Sequence, residues 1–287
     1  MSKKISVGVD GSEIAHMAFQ TALFLRQPED KIDVFHVSTP EKDYLPYDLE
    51  PAYIAENYDN LLITSVPSDR RSVSIFPKKD GQSTKGAVCE YINNAEQKTD
   101  FLVVGCAGRK GPKSDPTILG STTDYSLRQA HCSSIIIKKK MEKFATSDKR
   151  PKGKFMACVD GSDNSHKAYL ETCRLAYETD DVVILHIYSA EAQTNNDDGE
   201  TKADDITKKY ENLGRGTVKI VEKASGTTIA KQILSIAEEE EVDFVVVGAD
   251  GMSAYLNGTK NPLGSVSDYV AKHAKMGAVI TEVLTQG

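Results

Sequence analysis

Apolar residues fall into two alternating patterns along this chain. Short runs rich in Val, Ile and Phe, at 5–9, 32–37, 73–76, 101–104 and 134–137, have the length and β-branched content of strands, and five more follow at 155–159, 182–187, 218–221, 244–247 and 278–281. Between them the spacing turns helical. Ile14, Ala18, Ala22 and Leu25 form one apolar stripe, Ala168, Thr172, Leu175 and Ala176 a second, and Ile229, Ile233, Ile236 and Ala237 a third. Two long polar stretches, 39–70 and 189–214, have room for a helix and loops. Ser12 and Ser162 each follow an Asp-Gly and stand where a helix N-cap is expected. Strands apolar on both faces and separated by helices predict parallel sheets covered on both sides, a doubly wound, Rossmann-like α/β fold.

The pattern occurs twice. Val9-Asp-Gly-Ser12 returns as Val159-Asp-Gly-Ser162, and His36-Val37 as His186-Ile187, both 150 positions later. Asp100-Phe-Leu-Val-Val-Gly105 returns as Asp243-Phe-Val-Val-Val-Gly248, and Gly120-Ser121 as Gly264-Ser265, in the same order. A tandem repeat of two five-stranded domains follows: 1–140, a basic polar linker at 141–153, and 154–287. The fifth strand of each half, apolar and at a sheet edge, is the expected pairing edge of an intrachain pseudo-dimer, with a further homodimer left open.

Composition narrows the classes. The longest apolar runs, such as Phe101–Val104, stop far short of the roughly 20 residues of a membrane helix. The polar break at Asp10 interrupts any secretory leader, so the cytoplasm is the expected compartment. Thirty-five basic against 42 acidic residues give a net charge of −7, which argues against a nucleic-acid partner. Five scattered cysteines with no C-x-x-C pair argue against a disulfide framework or a zinc site.

In doubly wound sheets the ligand crevice lies beyond the carboxyl ends of the strands. Asp10 and Asp160 end the first strands, Val37 and Ile187 the second, and Gly105 and Gly248 the fourth. Glycines then recur at 108 and 251, before Gly120-Ser121 and Gly264-Ser265 open the last helices. Such loops let backbone N–H groups approach a phosphate, and a helix start adds free donors and a positive dipole end. Neither a Walker A sequence nor a G-x-G-x-x-G fingerprint occurs, against a P-loop NTPase or a dinucleotide dehydrogenase.

The order V-D-G-S, H-[VI], [VI]-V-G-x-x-G, loop, G-S resembles the universal stress protein family over nearly the whole chain. The resemblance implies an adenine nucleotide alpha-hydrolase-like fold and a binding or sensing module for ATP, or for ADP or AMP, with Mg²⁺ as an optional companion. In the first half it assigns the nucleotide to Asp10, Val37, Val104, Gly105, Gly108 and Arg109, with Gly120, Ser121 and Thr122 at the helix start. In the second half it assigns Asp160, Ile187, Val247, Gly248 and Gly251, with Gly264, Ser265 and Val266. Both loops depart from the family's nine-residue spacing before G-[ST]: eleven residues follow Gly108 and twelve follow Gly251. The first loop is nearer that length and carries Arg109, Lys110 and Lys113, whereas the second sets Asp250 between its glycines; the first half is therefore the expected better binder.

Each assignment has a plainer rival. Asp10 and Asp160 also suit turns, His36 and His186 sit inside apolar strands as packed residues would, and Cys106 suits a small packed position better than a redox thiol. Neither half contains a Ser-His-Asp or Cys-His arrangement, so a stress-response regulatory module is expected rather than an enzyme. A slow ATPase or nucleotidyl transferase is the alternative, and a nucleotide-free scaffold the third reading.

Overall fold

The apolar runs become strands whose inward and outward faces are both buried: in β4 and β5 of the first half every residue is covered. The computed structural model describes residues 2–39, 46–111, 115, 117–138, 141–145, 150–189, 203–250 and 263–282. They divide into two units, Met1–Arg150 and Pro151–Gly287.

In the first unit the order is β1 (Lys4–Val9), α1 (Glu13–Leu25), β2 (Lys31–Ser38), α2 (Pro51–Ile63), β3 (Arg71–Pro77), α3 (Thr84–Asn93), β4 (Phe101–Gly105), α4 (Ser121–Gln129), β5 (Ser133–Ile137) and a short α5 (Glu142–Ala145). All strand pairs are parallel, in the order β3-β2-β1-β4-β5. The second unit repeats this with β6 (Lys154–Cys158), α6 (Asp163–Leu175), β7 (Asp181–Tyr188), α7 (Ala203–Asn212), β8 (Thr217–Glu222), α8 (Ile229–Glu239), β9 (Phe244–Val247), α9 (Ser265–His273) and β10 (Gly277–Ile280). Its parallel order is β8-β7-β6-β9-β10. Each is the doubly wound sheet that the hydrophobic pattern predicts, with its switch in strand order between the first and fourth strands.

The same local devices start both first helices. Gly11 and Gly161 hold left-handed φ values of 83° and 93°, which a residue with a Cβ rarely adopts, and turn the chain out of the strand. Ser12 and Ser162 then cap α1 and α6, their hydroxyls accepting from Ala15 N at 3.3 Å and Ser165 N at 3.2 Å. The packing repeats as well: Phe19 meets Tyr58 edge-on at 4.9 Å, and Tyr169 meets Tyr210 edge-on at 5.0 Å.

Two expectations change. Ile229 is exposed, because it is the first residue of α8 and points clear of the sheet, while Ile233, Ile236 and Ala237 are buried. The segment read as linker from 141 onward begins as part of the first unit. Met141 and Phe144 are buried, the Phe144 ring lies 4.0 Å from that of Phe24 on α1, and the Arg150 guanidinium covers the same ring at 4.2 Å. Among the described residues no helix is long and apolar enough to cross a membrane.

Candidate functional site

Asp10 organises the carboxyl end of the first sheet. Its Oδ1 accepts from Ser12 N at 3.0 Å and Ser12 Oγ at 2.6 Å, closing the turn after β1. Its Oδ2 accepts from Arg109 N at 3.0 Å, so one carboxylate joins the first turn to the glycine loop after β4. Gly108 is required there, since a Cβ would lie 2.9 Å from Asp10 Oδ2. The loop folds back through Gly120 N, which donates to Cys106 O at 2.9 Å, and Thr123 Oγ1, which donates to Gly105 O at 2.7 Å. This sets the start of α4 against the loop. Among the described residues no side chain caps Gly120, which leaves the first-turn N–H groups of α4 to a ligand or water.

These elements enclose a cavity of about 590 Å³, within the range of small-molecule sites. Asp10, Val37, Val104, Gly105 and Gly108 line it, as do Arg109, Gly120, Ser121 and Thr122, so all nine first-half candidates meet in one place. Phe35 and Val88 supply apolar wall, and Lys110 joins Arg109 as a second cation. The sequence reading missed the contribution of Thr84 and Val88 from α3. A signal existed in the Ser83 cap, which accepts from Gly86 N, and the apolar pair Val88 and Ile92 one turn apart.

His36 lines the same cavity, yet its Nδ1 lies 2.8 Å from Val9 O and ties β2 to the end of β1. Burial pushes its pKa below the ordinary value, so it is neutral at pH 7 and Nδ1 donates. His186 repeats the tie to Val159 O at 2.8 Å. Both histidines are packed strand residues. Burial also pushes the Cys106 thiol up, opposed by the charge of Lys138, which keeps it protonated and favours the packed reading.

In the second unit Asp160 closes the same turn, accepting from Ser162 N at 3.0 Å and Ser162 Oγ at 2.6 Å. Ile187 lies in β7, Val247 ends β9, Gly248 follows it, and Gly264 caps α9 ahead of Ser265 and Val266. Gly264 N donates to Ala249 O at 2.7 Å, as Gly120 does to Cys106. Gly251 lies outside the described residues, as do Lys113 in the first loop and the rest of the second loop to 262. Asp250 has an altered setting: Asn164 Nδ2 donates to its Oδ1, and burial pushes its pKa up, with the nearby charge of Asp160 adding to the rise.

Each unit therefore belongs to the class of doubly wound α/β domains with a glycine directly after or ending the fourth strand and, among the described residues, no side chain capping the start of the last helix. The profile of the universal stress protein family matches residues 1–138 and 153–281, and the chain belongs to that family, as a tandem member. No curated protein sequence matches it. The fold is similar to that of a universal stress protein from Archaeoglobus fulgidus, at 18% identity and TM-score 0.67, over 98% of this chain and 99% of that one. It is also similar to a functionally unknown protein from Pseudomonas aeruginosa, at 12% identity and TM-score 0.62, over 98% and 92%. A universal stress protein in complex with cAMP aligns with 47% of this chain and 96% of its own, at 19% identity and TM-score 0.35.

Proposed function

We propose that this tandem universal stress protein binds adenine nucleotide, ATP foremost, in the first unit's crevice and acts as a cytoplasmic regulatory module rather than as an enzyme. What supports this is the convergence of Asp10, the Val37 backbone and the uncapped start of α4 on one cavity of about 590 Å³ with two cations on its wall. A carboxylate suits ribose hydroxyls, a strand-end backbone suits the base, and the helix start with Arg109 and Lys110 suits phosphates, with Mg²⁺ optional. In this reading the second unit is the weaker binder, and the edges of β5 and β10 pair within the chain.

Equilibrium binding of labelled ATP to the full chain tests the ligand. Saturable binding that requires Asp10 carries the reading; no binding would leave a scaffold. Phosphate release at saturating ATP and Mg²⁺ tests the regulatory role, since steady turnover would make the protein a slow ATPase. Small-angle scattering tests the pairing, which two independently tumbling domains would refute.

A further inference from the structure

At the other end of the first sheet, where the strands begin, lies a second cavity of about 560 Å³. Its rim gathers Lys4 from β1, Lys31 from the start of β2, Arg70 just before β3 and Arg71 at its start, and Lys98 from the turn before β4. β1 alone, six residues at about 3.3 Å each, puts about 20 Å between this rim and the crevice, so one ligand does not serve both. We propose that this corner binds a compact polyphosphate-type anion, a short chain of phosphate groups.

The second unit shows that the cations are not required by the fold. Lys31 N donates to Lys3 O, and Asp181 N donates to Gly153 O, so Asp181 stands where Lys31 does. Lys4 N donates to Asp100 Oδ2 at 2.8 Å, and Lys154 N to Asp243 Oδ2 at 2.9 Å, which aligns the two turns before β4 and β9. Two residues ahead of those aspartates stand Lys98 and Glu241, both left-handed at φ 47° and 52°. Register likewise places Gly216 at the position of Arg71. One backbone thus carries Lys, Lys and Arg in the first unit and Asp, Glu and Gly in the second. The two cations the second unit keeps are committed: Lys154 is held by Glu240, and Arg215 by the carbonyls of Cys173, Ala176 and Tyr177.

In the first unit the corresponding groups are less engaged. Lys4 donates to the neutral Gln97 at 2.6 Å and lies 3.7 Å from Asp33. Arg70 and Arg71 each donate to a single carbonyl, Pro28 O at 2.5 Å and Val66 O at 2.7 Å, against three for Arg215, and their nearest carboxylates, Asp69 at 3.6 Å and Asp59 at 3.8 Å, are more than half exposed. Lys31 and Lys98 are exposed, with no ion pair among the described residues. Asp69, Glu96 and Asp100 are also on the rim and leave it net positive, in a chain of net charge −7. Two adjacent guanidinium forks suit phosphate oxygens. Among the described residues no aromatic side chain lines the cavity and none offers a stacking surface for bases, which favours phosphate itself over a nucleic-acid strand.

The test is titration of the ¹⁵N-labelled full chain with inorganic tripolyphosphate, alongside Lys31→Glu/Lys98→Glu and the milder Lys31→Gln/Lys98→Gln. The second unit's acidic residues at these positions make both variants compatible with the backbone. Expected are saturable shifts at the amides of Lys4, Lys31, Arg71 and Lys98, an affinity at least tenfold weaker in the Glu pair and intermediate in the Gln pair, and unchanged ATP binding. Shifts confined to Gly105–Ser121, unchanged affinity in both variants, or shifts that never saturate would overturn the proposal. Tighter binding of a single-stranded oligonucleotide at the same amides would overturn it in favour of nucleic acid.

Discussion

Beside the crevice glycines of the first unit stand Ile14 and Ala107; at the same places in the second stand Asn164 and Asp250. Ile14 packs where a Cβ on Gly105 would touch it at 3.0 Å, while the Asn164 backbone takes that place against Gly248 at 2.9 Å. The backbone solution is held by the same hydrogen bonds in both units: the Asp-Gly-Ser turn, the histidine tie, and the glycine N–H returning to the loop. The side chains facing the ligand space then diverge in charge. Arg109 and Lys110 face the first crevice, whereas the second sets a half-buried carboxylate, Asp250, near Asp160. A duplicated scaffold preserves what the fold needs and releases what the ligand reads, so the two sites are expected to be unequal.

The largest test of that inequality is Asp10→Ala. It removes a charge-assisted hydrogen bond to the ligand and also the clamp on Arg109 N, so nucleotide binding to the first crevice should weaken by roughly 1.5–3 kcal/mol, about ten- to 150-fold. Asp160→Ala should weaken the second crevice by less, because removing that charge also relieves Asp250. Calorimetric titration with ATP, with the fold checked by circular dichroism, reads both. Equal affinities in both variants and the parent would reduce the two aspartates to turn residues.

A smaller effect runs the other way. Asp250→Ala removes a carboxylate whose repulsion of a phosphate is worth on the order of 1 kcal/mol, so the second crevice should gain about five- to tenfold in ATP affinity. Adding Asn164→Ile completes the first unit's pair and avoids leaving the amide without its partner. If affinity stays flat, the inequality lies in the loop beyond Asp250 rather than in the pair.

The parts legible in the sequence were those where chemistry and repetition coincide. Asp10-Gly-Ser12, Val37 and Gly105…Gly108…Gly120-Ser121 recur in register, and each residue type has one dominant physical use in a strand-to-helix turn. Other features depend on contacts that spacing does not display. α3 mixes Gly86 and polar residues into a short helix, so the wall formed by Thr84 and Val88 emerges only when the helix lies on the sheet. Met141 and Phe144 are two buried apolar residues in a basic stretch, and Phe144 packs on Phe24, far upstream. The basic corner is scattered over four segments that only the amino ends of the strands bring together.

That corner also supports the smallest prediction, which compares Gln97 with Glu240. Lys4 donates to the neutral Gln97, whereas Lys154 and Lys219 both donate to the carboxylate of Glu240. The hydrogen bonds from Lys219 and Lys154 hold the Glu240 carboxyl down at about 2, against an ordinary 4.5. A depressed acid binds its proton more weakly folded than unfolded, so its stabilisation is complete above about pH 4.5 and is lost as pH falls through about 2. Glu240→Gln gives the second unit the first unit's neutral partner. Its melting temperature should lie below the parent's at pH 6 and converge with it toward pH 2, while Gln97→Ala leaves a gap that does not vary with pH. Because Glu240 is partly exposed, 0.5 M salt should shrink the pH 6 difference. A Glu240→Gln gap that stays constant from pH 6 to pH 2 would show that the lysines hold Glu240 by packing rather than by charge.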